Sequence, residues 1–113
     1  MILPFNASIY FYRKPIDFRC GIDGLCLLIS NKLKNNPCSG NIFIFRNKVN
    51  DRLKILYYEN NGFWLLYRRL EQGKLKYPEI QDITMNITVQ QLQWLLSGLE
   101  ILDHKIVSYS KFY

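Results

Sequence analysis

Between Arg52 and Glu59, Leu53, Ile55 and Tyr57 alternate with Arg52, Lys54 and Leu56. This period of two sends successive side chains to opposite faces of a strand. Just upstream, Asn41–Phe45 (NIFIF) is another β-prone run, and the polar stretch from Arg46 to Asp51 between the two predicts a hairpin. Ser8–Arg13 (SIYFYR) reads as a strand that stops at Lys14-Pro15. "DITMNIT", with Ile83, Met85 and Ile87 on one parity, reads as another, and "KLKYP" (Lys74–Pro78) as a short one.

Elsewhere the period lengthens. Ile22, Leu25, Cys26, Ile29 and Leu33 recur at helical spacing. The helix they predict begins at Asp17 or at Gly21, and both starts stay open. Asn35-Asn36-Pro37 stops it, with Lys32 and Lys34 expected in a last turn whose dipole favours cations, and Asp17 and Asp23 read as helix-start residues. Asn60-Asn61-Gly62 is a turn signal. Beyond it, Phe63, Leu66, Tyr67 and Leu70 fall at i, i+3, i+4 and i+7 with Gly73 as a stop, which favours a helix over a strand. Thr88 followed by Gln91 has the form of a capping box. It opens a helix with Leu92, Leu95, Leu96 and Leu99 as its apolar stripe. The end, "HKIVSYSKFY", is compatible with an edge strand or a frayed terminus.

Strands and helices mixed without βαβ regularity predict an α+β fold. The expected architecture is a small mixed sheet with an antiparallel hairpin at its centre, packed by two to three helices. No repeat, linker or low-complexity tract divides the chain, so residues 1–113 are expected to form one domain, with 105–113 as a loosely ordered tail. At 113 residues and 49% hydrophobic, the chain can bury a core. No apolar run approaches the roughly 18 residues of a membrane span. The opening "MILPFNASIYFYRKP" lacks the basic-then-apolar order of a signal peptide. A cytoplasmic protein with no membrane partner is the expectation.

Candidate chemistry is sparse. Cys20, Cys26 and Cys38 match no common zinc spacing, and the single histidine, His104, lies far from them. They are read as free, reduced thiols, with no metal and no cofactor. No serine–histidine–acid set can be proposed, Gly21 and Gly24 lack the Lys-Ser/Thr of a phosphate loop, and no close carboxylate set suits a metal ion. The chain is not read as an enzyme.

Charge changes the picture. The formal net charge is +6, and it is unevenly spread. Residues 41–77 carry eight basic and three acidic side chains, whereas residues 78–104 carry four acidic ones and no Lys or Arg. The basic set is Arg46, Lys48, Arg52 and Lys54 around the hairpin, then Arg68, Arg69, Lys74 and Lys76. Lysine and arginine at this density suit phosphate or an acidic protein surface. Strand pairing is expected to bring Arg46 close to Arg52, neither with an evident place in the core. The alternative is a merely solvated hairpin, or internal pairing of the basic and acidic segments. A dipolar chain of this kind is also compatible with self-association.

Four segments in order carry a resemblance: "MILPF", "DFRCGIDGL" (Asp17–Leu25), "CSGNIFIFRNKVNDRLKIL" (Cys38–Leu56) and "RRLEQGKLKYP" (Arg68–Pro78). Together they resemble the small TnpB accessory protein, the second open reading frame, of the insertion-sequence sixty-six transposon family. That TnpB is unrelated to the RNA-guided nuclease of the same name. The family's pattern runs roughly D-M-R-K-G-x-D-G-L, F-x-G-x-x-F-x-F-R-N-R-x-x-D-R-x-K, then K-R-L-E-x-G-x-F-x-W-P. The match covers about residues 1–99. Cys20 stands where the family tends to have Lys, Leu75 where Phe is usual and Tyr77 where Trp is usual. The resemblance implies a non-catalytic factor encoded beside a separate transposase that cuts and joins DNA, and needed for efficient transposition. Transposon DNA, the transposase or a second accessory protein are the partners it implies.

Overall fold

The computed structural model describes residues 7–79 and 81–98. Five strands and two helices follow in the order β1 (Ile9–Pro15), α1 (Ile22–Asn31), β2 (Ile42–Arg46), β3 (Arg52–Glu59), β4 (Gly62–Arg69), β5 (Thr84–Ile87) and α2 (Val89–Leu96). The strands form one sheet in the spatial order β4-β3-β2-β1-β5. β1 and β2 are parallel, joined through α1, and the other neighbours are antiparallel. The fold is the expected α+β, with the β2–β3 hairpin in the middle of the sheet.

Both faces of the sheet are covered. Ile9 and Phe11 of β1, Ile42 and Ile44 of β2, Leu53, Ile55 and Tyr57 of β3, and Met85 and Ile87 of β5 pack against Leu92 and Leu95 of α2. The opposite parity, Tyr12, Phe43, Phe45 and Leu56, packs against Leu25 and Ile29 of α1. An internal strand sandwiched in this way needs apolar residues on both parities, and all of Ile42–Phe45 is buried.

α1 begins after Gly21, which has extended backbone, so the shorter of the two expected helices forms. Asp17 is not a helix-start residue but heads a turn, its carbonyl accepting from Cys20 N–H at 2.9 Å. Asp23 does lie in the first turn of α1. Lys32 is the C-cap and Lys34 lies beyond it at φ 53°, so neither occupies the last turn. α2 opens on the expected capping box: Thr88 Oγ1 accepts from Gln91 N–H at 3.0 Å and Gln91 Oε1 accepts from Thr88 N–H at 2.8 Å.

One element differs from expectation. Phe63–Arg69 is not a helix but part of strand β4, paired with β3 from Glu59↔Gly62 to Arg52↔Arg69. Asn60 and Asn61, at φ 48° and 69°, make a two-residue turn that returns the chain directly along β3. Phe, Trp and Tyr suit the pleated surface, and pairing along the whole strand overrides the accidental helical spacing. Lys74–Pro78 forms no strand of the sheet. It is anchored by Leu75, which is 3% exposed and whose N–H donates to Asn50 O at 2.7 Å. Leu99 of the α2 stripe, the segment 105–113 and the opening "MILPF" lie outside the described residues.

Candidate nucleic-acid interface

The strand directions gather charge at one end of the sheet. The C-terminal ends of β1, β2 and β4 meet the N-terminal ends of β3 and β5 there, as the register pairs Pro15↔Arg46, Arg46↔Leu53, Arg52↔Arg69 and Tyr12↔Thr84 show. All eight basic residues of the sequence reading lie in strands or loops at this end, but they do not share one face.

Arg46 is register partner to Leu53, so it lies on the α2 face, opposite to Arg52. Its Nε donates to Arg13 O at 2.6 Å, one of its terminal nitrogens donates to Asn47 O at 3.2 Å, and the guanidinium lies 5.4 Å from the Tyr77 ring centroid. Tyr77 in turn packs edge-on against Phe11 and donates its hydroxyl to Asn50 Oδ1 at 2.8 Å. Arg46 therefore ties the ends of β1 and β2 to the Lys74–Pro78 segment. The expectation that it has no place in the core is corrected.

Lys54 is corrected more sharply. It is 8% exposed on the α1 face, and its ammonium donates to Phe18 O and Cys20 O, both at 2.7 Å, while lying 5.0 Å from the Phe18 ring centroid. This lysine holds the Asp17–Gly21 turn onto the sheet. Gly24 lets the turn fold close over α1, since a Cβ there would come within 2.5 Å of Cys20 Sγ. The hairpin loop has its own closure: Asn47 Nδ2 donates to Asp51 Oδ1 at 2.6 Å, and Asn47 Oδ1 accepts from Asp51 N–H and Arg52 N–H, both at 3.0 Å. The Asn47 hydrogen bond is the main reason the Asp51 carboxyl lies below its ordinary pKa.

The solvent-facing cations remain. On the α1 face Arg52 and Arg69 are register partners on neighbouring strands, with Tyr67, 57% exposed, next to Arg69's position along β4. Arg52 lies 3.8 Å from Asp51, and Arg69 pairs with Glu71 at 2.7 Å. Arg68 is exposed on the α2 face and reaches Leu96 O at 3.5 Å. Lys48, Lys74 and Lys76 are exposed in the loops. Sequence reasoning missed two exposed cations at this end, Lys14 and Arg19. The parallel β1–β2 pair sets Lys14 beside Arg46, and the hold of Lys54 on the Asp17–Gly21 turn brings Arg19 there; no local sequence signal marks either.

Arg19 and Asp17 form a bidentate pair within the turn that Lys54 holds. Hydrogen bonds from the Arg19 side chain and N–H pull the Asp17 carboxyl down from 3.8 to about 2, against a small opposing effect of desolvation. A folded-state pKa below the unfolded one stabilises the fold above the unfolded pKa and is lost as pH falls through the folded one. The contribution of the Asp17–Arg19 pair is therefore full above 3.8 and disappears as pH drops through about 2. Carboxyl-carbon NMR is expected to place the Asp17 midpoint near 2, and Arg19→Gln should move it up. A wild-type midpoint at the ordinary value would show the Asp17–Arg19 pair to be unformed.

Cys20 and Cys26 are partly buried and Cys38 exposed, all three as free thiols, and burial raises the Cys26 pKa. Among the described residues no group of three or more His, Cys, Asp or Glu side chains could hold a metal ion, and no helix is long and apolar enough to cross a membrane.

The fold and this surface define a small mixed-sheet domain with cations collected at one strand end. Comparison with known proteins then places it: residues 7–105 match the profile of the IS66 Orf2-like proteins, TnpB_IS66, and the chain belongs to that family. The family is an accessory protein of IS66 transposition with no known catalytic activity. Two uncharacterized proteins of Sinorhizobium fredii are similar, one 36% identical over 77% of this chain and 74% of its own length, the other 33% identical over 84% and 83%. No solved structure matches.

Proposed function

We propose that this protein serves IS66 transposition, in the cytoplasm, as a non-catalytic factor that holds transposon DNA on the strand-end surface, with Arg52 and Arg69 on the phosphates. The observation that carries this reading is their register: two arginines directly opposite on adjacent strands. Like charges so placed destabilise a sheet, and the neighbouring carboxylates of Asp51 and Glu71 offset part of that. A phosphate shared between two planar guanidinium groups relieves that repulsion and accepts hydrogen bonds from both. Lys48 and the pair Lys74 and Lys76 extend the positive field, and Tyr67 offers an apolar plane beside it.

The test uses Arg52→Ala with Arg69→Ala, in place of any variant at Arg46 or Lys54, which the fold needs. The double variant is expected to melt like wild type. It should bind terminal-repeat DNA more weakly, with a log–log salt slope shallower by about one unit per lost phosphate contact. Transposition should fall in parallel. Wild-type transposition in the folded variant would leave the surface as merely solvated.

A second reading has its own support. Asp51 and Glu71 alternate with the two arginines, and a mixed-charge surface also fits a protein partner such as the transposase or a second accessory chain. Transposition that falls while DNA binding stays unchanged or absent, with loss of co-purifying transposase, selects that reading.

A further inference from the structure

The two outer strands of the sheet are unlike. β5 has four residues, and short edge strands resist pairing with other chains. β4 has eight, with no proline and no β-bulge, and β3 is its one neighbour among the described residues. In a hairpin closed by a two-residue turn the closing pair, Glu59 and Gly62, is the hydrogen-bonded one, and the pattern then alternates. Leu70 N–H donating to Asp51 O at 2.7 Å continues the same parity. The even residues of β4 thus bond inward to β3. Phe63, Leu65, Tyr67 and Arg69 turn their N–H and C=O groups outward.

The side chains along this edge are also ordered. The first half of β4 is aromatic, with Phe63 and the 51% exposed Trp64, and the second half ends in Arg68 and Arg69. Trp64 and Arg68 share the α2 face, while Phe63 and Arg69 share the α1 face. A strand with aromatics at one end and cations at the other is complementary to itself when reversed.

We infer that β4 pairs antiparallel with β4 of a second copy of this chain, joining two five-stranded sheets across a twofold axis at Leu66. In that register Trp64 lies beside Arg68 of the second copy, Phe63 beside its Arg69, and Leu65 beside its Tyr67. All four outward-facing backbone positions fall in hydrogen-bonded pairs. Each arginine meets an aromatic ring, a favourable cation–π neighbour. A parallel pairing would set Arg68 and Arg69 against themselves, which a chain of net charge +6 disfavours. The antiparallel one sends the two cation-rich sheet ends in opposite directions. A second copy is the occupant because the strand supplies both halves of the contact. Arg69 and Tyr67 take part both in this contact and in the proposed basic surface, and the mass of the chain in solution tests the contact separately from DNA binding.

Sedimentation equilibrium of the full chain from low to high micromolar concentration is expected to show a concentration-dependent rise from 13.5 kDa to twice that mass. Tyr67→Pro removes an outward N–H and no hydrogen bond to β3, along with the edge-on contact of its ring with Phe18, so it should keep the β3–β4 pairing and abolish the rise. Trp64→Arg should also abolish it, by placing a cation against Arg68 of the second copy, and it decides the question if the proline variant does not fold. Because Trp94 is 4% exposed, acrylamide quenching reports mainly on Trp64 and should weaken as the dimer forms. A wild type that stays at single-chain mass overturns the inference. So does a dimer that survives both substitutions, or one lost only when residues 99–113 are removed.

Discussion

Lys54→Met is expected to destabilise the protein by roughly 2–4 kcal/mol, although a sequence view places this lysine on a solvated basic face. Each hydrogen bond from a charged donor is worth about 1.5–3 kcal/mol, and the Lys54 ammonium makes two, to Phe18 O and Cys20 O. Methionine fills similar volume and spares the desolvation of a charge, which offsets part of the loss. It leaves both carbonyls without their donor and the Phe18 ring without its cation. Urea denaturation should show the midpoint falling, and hydrogen exchange should show the Asp17–Gly21 turn opening first. An unchanged midpoint would mean that the turn is not held by this side chain.

Leu95→Ala is expected to cost roughly 2–5 kcal/mol, the range for a fully buried leucine in a close-packed core. Leu95 is 0% exposed and packs in the cluster that α2 shares with β1, β2, β3 and β5. The helix has only eight residues, too few to persist alone, so its contacts with the sheet must hold it. Truncating Leu95 should therefore also release the amides of the last turn to exchange. A variant that melts like wild type would mark the apolar stripe as a docking surface for a partner helix.

The strands β1, β2, β3 and β5 and both helices were legible because local pattern and tertiary demand agree there. The period of two in Arg52–Glu59 and the capping box at Thr88 each reflect a constraint within a few residues. β4 was misread because Phe63, Leu66, Tyr67 and Leu70 satisfy helical spacing, while an edge strand half-buried on both faces has no strict alternation to set against it. The two asparagines of the preceding turn were the better evidence: a two-residue reversal after a strand commits the chain to a hairpin. The basic site was legible as composition and not as geometry. Nothing near Lys54 in sequence announces acceptors 36 and 34 residues away, nor does Arg46 announce a carbonyl 33 residues before it. Which of eight cations face water depends on contacts that local periodicity does not encode.

The strand order has a consequence during synthesis. β2, β3 and β4 are neighbours both in sequence and in space, so they can pair as they emerge. β1, made first, is completed on its outer side only by β5, with Tyr12 opposite Thr84. At about 5–20 residues per second, the ribosome takes several seconds to cover that distance. Until then Ile9–Tyr12 presents an open, apolar strand edge, and a chain arrested before Thr84 is expected to be the one that chaperones retain.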